Sequence, residues 1–130
     1  MINENGVDHL LGELEHGKID VWQIISLYQG GRDVKELAEA LVRKPQLASN
    51  ILYIMSEISS NRIAPIWRSV VPFLKDPNLN CVFYALDVLH SVARQVDEEE
   101  ILLVLNNIHF SDYSLSEKIE AVRSVASKAR

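Results

Sequence analysis

The sequence predicts an all-α protein: one domain over residues 1–130, built as a solenoid of about four stacked helical hairpins with eight helices. Three observations predict it. Apolar residues recur at helical spacing along most of the chain, and no segment reads as a strand. Capping and turn residues punctuate the chain at short intervals. The punctuation also repeats. Pro45 and Pro77 each open the second helix of a pair, 32 residues apart, and Asp76 and Asp112 mark successive hinges 36 apart. Periods of about 30 to 45 residues mark helical solenoids, whose hairpins bury their apolar faces only by stacking.

The elements follow in order. Helix one carries Val7, Leu10, Leu11 and Leu14 on one face and ends at Gly17. Asp20 caps helix two, whose stripe is Val21, Ile24, Ile25 and Tyr28, and Gly30-Gly31 terminates it. These glycines lack the lysine and serine of a phosphate loop, so they form a turn. Asp33 and Glu36 form a capping box for helix three, with Val34, Leu37, Ala38 and Leu41 inward. Pro45 opens helix four, which runs to about Ser59 on Leu47, Ile51, Ile54, Met55 and Ile58. Asn61 to Lys75 forms helix five, with Pro65 in its first turn and a bend at Pro72. Helix six runs to about Arg94 with Val82, Leu86, Leu89 and Ala93 inward. Asp97-Glu98-Glu99-Glu100 starts helix seven, where acidic groups suit the helix dipole. His109 to Tyr113 is a loop, and Ser114 with Glu117 caps helix eight on Leu115, Ile119, Val122 and Ala126. The hairpins are Val7–Gln29, Asp33–Ser59, Arg62–Arg94 and Asp97–Ala129, the short first one serving as a cap.

The turn at Asp76-Pro77, with Cys81 at the following apolar position and Ala85 after it, resembles the hinge of a HEAT repeat. The family's basic position holds Val82 here, so its Asp–Arg ladder is absent from this repeat. The resemblance implies a HEAT/armadillo-like stack, and a first helix bent at a proline is common in that family.

Composition limits the function. Apolar residues make 48% and charged residues 24%, as in a globular chain. The net charge of −5 disfavours nucleic acid and suits a basic protein partner. Cys81 is the only cysteine, so no internal disulfide is possible. The first residues lack a signal peptide's basic and apolar regions, and no apolar run is long enough for a membrane span, so a cytoplasmic protein is expected.

Candidate chemistry is sparse. His9, Glu13 and His16 share a helical face, but the pattern of two histidines four apart with an adjacent glutamate is missing, so a solvated face is expected and no metal. Cys81 and His90 stand about 13.5 Å apart along one helix and form no dyad, even with Asp87 nearby. Cys81 reads as a core residue and His109 as structural. The run Asp97–Glu100 reads as a helix start. No catalytic set and no cofactor are expected.

The aromatic pattern is more informative. Trp22, Tyr53 and Tyr84 are spaced by 31 residues, each on the second helix of its hairpin. Second helices line the concave face of a solenoid. That face is expected to present Tyr53 and Tyr84 flanked by Glu57, Asp87, Ser91, Glu117 and Glu120, a surface for a basic partner. Trp22, nearer its helix's apolar side, is expected to be the most buried ring. Loop ridges at 29–32 or 109–113 offer a second route to a partner.

In kind, a small acidic HEAT-like domain without catalytic residues resembles the immunity proteins of bacterial contact-dependent inhibition. The resemblance implies a tight one-to-one complex with a cognate toxin domain, often a basic nuclease, and no contact with membrane. A general scaffold for a non-toxin partner is the alternative. A base-excising enzyme or a bilin lyase on helical repeats is a third class. The base-excising kind needs a basic groove, against which these acidic residues speak.

Overall fold

The computed structural model describes residues 6–108 and 113–128. The protein is all-helical, with eight α-helices and no strand among these residues. They are α1 (Val7–Glu15), α2 (Val21–Gln29), α3 (Lys35–Arg43), α4 (Ala48–Ser56), α5 (Ser60–Ile63), α6 (Leu79–Val92), α7 (Glu98–Asn106) and α8 (Tyr113–Lys128).

The first two helices end alike. Gly17 and Gly31 adopt positive φ, +74° and +121°. The N–H of Lys18 then reaches Glu13 O at 2.8 Å and that of Gly17 reaches Leu14 O. Arg32 and Gly31 repeat both bonds onto Leu27 and Tyr28. Each pair is a Schellman closure, which needs a residue that tolerates the left-handed region. At the start of α2, Asp20 Oδ1 accepts from Gln23 N–H at 3.0 Å and Gln23 Oε1 accepts from Asp20 N–H at 2.9 Å.

Several expectations are corrected. The Asp33–Glu36 box does not form. Asp33 turns its carboxylate to Lys35 N–H at 3.0 Å. Glu36 is engaged by the Tyr28 hydroxyl at 2.9 Å and by Arg32 Nε at 2.6 Å. Pro45 opens a single 3-10 turn before α4, which stops at Ser56 rather than Ser59. The expected fifth α-helix is one α-turn followed by a 3-10 segment, Ala64–Lys75, broken at Ile66. Pro65 and Pro72 supply no N–H, and a proline ring crowds the carbonyl four residues back, so the α ladder cannot run through. Pro77 stands ahead of α6, which Asn78 caps through Asn80 N–H at 2.9 Å. Ser114 lies inside α8 and Tyr113 is helical, so neither is cap or loop. Asp97 caps α7 as expected, accepting from Glu100 N–H at 2.9 Å. His109, Asp112, the rest of the expected loop at 109–112 and the chain end at 129–130 lie outside the described residues.

The helices pack in two layers. One runs α2–α4–α6–α8, each touching the next, and the other runs α1–α3–3-10 segment. Contacts of α3 with α4 and of the 3-10 segment with α6 join the layers, and α7 packs on α8. This order is compatible with hairpins stacked in series. A continuous apolar core runs from Val7 to Ala126 and holds no charged side chain among the described residues.

Polar links also join elements distant in the chain. Arg62 donates to Tyr28 O in the last turn of α2 and, at 2.7 Å, to Arg32 O in the turn that follows. Gln29 Nε2 reaches Glu57 O at 3.0 Å, Arg43 reaches Asp8 at 3.0 Å, and Arg68 grips Glu100 with two nitrogens at 2.5 and 2.6 Å.

Candidate functional site: an aromatic chain across the second helices

Equal spacing becomes a line of rings. Trp22 sits in the first turn of α2, Tyr53 late in α4 and Tyr84 mid-way along α6. Because α2, α4 and α6 lie side by side, one register step carries each ring to the next. Trp22 meets Tyr53 edge-on, with centroids 6.1 Å apart and planes at 86°. Tyr53 meets Tyr84 at 5.3 Å and 61°. Phe83 continues the chain from Tyr84 at 5.9 Å and 85°. Such edge-to-face pairs favour the positive ring edge against a negative ring face.

Exposure along the chain reverses one expectation. Trp22 is 52% exposed, and the two tyrosines between it and Phe83 are half-buried. Trp22 has a ring neighbour on one side, Tyr53. Tyr53 and Tyr84 each have a neighbouring ring on both sides.

The expected acidic flank is only partly free. Asp87 pairs with Lys118 of α8 at 2.5 Å. Ser91 turns its hydroxyl back to Val88 O at 2.8 Å. Glu57 is the C-cap of α4 and half-buried. Glu117 is exposed on α8. Glu120 is exposed too, 3.3 Å from Arg123 Nε, and borders the hollow between α7 and α8 with Leu105 and Ile108. The structure thus joins Tyr53, Tyr84 and Asp87 through one connected surface and turns Glu120 toward another groove.

No protein-family model, curated protein or solved structure matches this chain significantly. The surface is therefore read from its own chemistry. No helix among the described residues is long and apolar enough to cross a membrane.

Sequence reasoning missed Phe83 and Lys118. The Lys118 ammonium stands 4.2 Å from the centre of the Phe83 ring, which is 39% exposed. A further step of 31 residues from Tyr84 lands on Leu115, which is buried, and Lys118 follows one turn later. The shift of nearly one turn hid the fourth member of the row.

The other clusters are used internally. His16 Nδ1 lies 2.8 Å from Gly12 O of its own helix, and His9 lies 3.6 Å from Glu13. Among the described residues, no three potential metal-binding side chains come together. Cys81 is buried, and burial followed by the charge of Asp76 pushes its thiol pKa up, which suppresses the reactive thiolate. In the run Asp97–Glu100, the first residue caps α7 and the last is held by Arg68. The turn after α2 is tied down by Gln29–Glu57 and Arg32–Glu36.

Proposed function

We propose that this protein is a non-enzymatic binding module that neutralises a protein toxin by forming a tight one-to-one complex with it. The observation that carries the binding role is the unbroken ring chain from Trp22 to Phe83, half-exposed at its outer end. Tryptophan and tyrosine dominate the energetics of protein interfaces because they bury large areas with few rotors to freeze. The tyrosines are fixed by their neighbouring rings before any partner arrives, so little ordering cost remains on binding. The net charge of −5 favours a basic partner and speeds its approach.

The toxin-directed reading is supported by the small acidic helical domain, the order of its hairpin contacts and its resemblance in kind to contact-dependent immunity proteins. The partner on this reading is a basic nuclease-type domain, met in the cytoplasm. The test is co-expression with the toxin domain encoded beside it. Rescue of growth and co-purification in a one-to-one complex support the reading. Unrelieved toxicity with no complex rejects it.

A further inference from the structure

We propose that the corner formed by Phe83, Tyr84 and Asp87 on α6 is a recognition site for a basic side chain of the protein partner, with Lys118 as its resident occupant. The inference rests on the protein-binding reading above and adds the chemistry that one end of the ring chain selects.

A cation site of this kind needs an aromatic face within about 6 Å and a carboxylate within ion-pair distance. Both are present, and the chain's own lysine shows that they fit a cation together. The Lys118 ammonium stands 4.2 Å from the Phe83 centroid and 2.5 Å from Asp87 Oδ1. Tyr84 backs the Phe83 ring edge-on and links it to Tyr53 and Trp22. The site is open on its outer side: Phe83 is 39% exposed and the Asp87 side chain 33% exposed with Lys118 in place.

Lys118 is suited to yield. Its charge sits on a flexible four-carbon stem, and the pair is only partly buried, with the Lys118 side chain 24% and the Asp87 side chain 33% exposed, so water still reaches it. The packing of α8 does not depend on it, because Leu115, Ile119, Val122 and Ala126 bury that helix's inner face. An arriving arginine has a planar guanidinium that stacks on the ring and bonds the carboxylate with two nitrogens, which an ammonium cannot do. The displaced lysine swings into water while the arriving cation becomes covered by the interface. Lys118 also holds the corner against weak cations, so that only a partner engaging the rest of the ring chain displaces it.

The test uses the full chain and a small probe, so it can fail separately from the toxin reading. n-Butylguanidinium is titrated at constant ionic strength into wild type, Lys118→Met and the double variant Lys118→Met/Asp87→Asn, and the Phe83 ring resonances are followed by NMR. Methionine fills the lysine's stem space without charge, so no new cavity invites the probe. The expected result is saturable binding to Lys118→Met, on the order of tenfold weaker in wild type and lost in the double variant. Folded Lys118→Met showing no saturable shift overturns the proposal, as does binding that survives removal of the Asp87 charge.

Discussion

The ring of Tyr53 stands edge-on to that of Tyr84, 5.3 Å away, although 31 residues separate them in the chain. The pair joins α4 to α6 at a half-buried position between two further rings. Edge-to-face pairs contribute about 0.5–1.5 kcal/mol beyond their area burial. A double-mutant cycle with Tyr53→Leu and Tyr84→Leu, read by urea unfolding, is expected to return a coupling in that range. Additive losses would mean that the rings are merely adjacent.

The two tryptophans make opposite optical predictions. Trp22 is half-exposed, and Trp67 is 2% exposed beneath the Arg68 guanidinium. Trp22→Phe leaves only the buried indole, so emission moves to shorter wavelength and acrylamide quenches it poorly. Trp67→Phe leaves the exposed indole, with red-shifted and readily quenched emission. Equal quenching in the two variants contradicts the assigned exposures.

Arg62, on α5, closes the end of α2. Arg62→Met keeps much of the stem and removes both bonds to Tyr28 O and Arg32 O. Arg32 O then loses the Arg62 bond while Tyr28 O keeps the Gly31 N–H, and stability falls by about 1–3 kcal/mol. Arg62→Lys restores little, because a point charge cannot bridge both carbonyls as the planar fork does. Hydrogen exchange should quicken in the last turn of α2 before it quickens in α6.

Glu100 gives a pH signature. Hydrogen bonding from Arg68, followed by its charge, holds the Glu100 carboxyl below its ordinary value of 4.5. A depressed folded-state pKa contributes stability above the unfolded value and loses it as pH falls through the folded value. The difference in Tm between wild type and Glu100→Gln should therefore be full at neutral pH and shrink below about pH 4.5. It should also shrink with added salt, since the pair is open to water. A difference that persists in acid places its origin elsewhere.

Helix type and order were legible because the apolar stripes of α1, α2, α6 and α8 follow helical spacing and their residues are buried, except Leu14 and Val21, which are partly buried. The caps at Asp20 and Asp97 are local chemistry and read directly. Glu36 misled because Tyr28 and Arg32, from the preceding hairpin's end, competed for its carboxylate. Pro65 and Pro72 announced a disturbance, but not that the chain would tighten to 3-10. The ring row was legible as an equal spacing. The exposure of Trp22 was not, because it depends on which side chains the fold brings beside the ring. Lys118 escaped because α8 reaches the row out of step.

The central claim, that the ring-bearing layer grips the partner, is tested most directly by hydrogen–deuterium exchange on the complex with the adjacent-gene toxin domain. The account predicts new protection on α2, α4 and α6 around Trp22, Tyr53 and Tyr84, and weaker binding by Trp22→Ala despite an intact fold. Protection confined to α1, α3 and α7, with Trp22→Ala binding as wild type does, would contradict it.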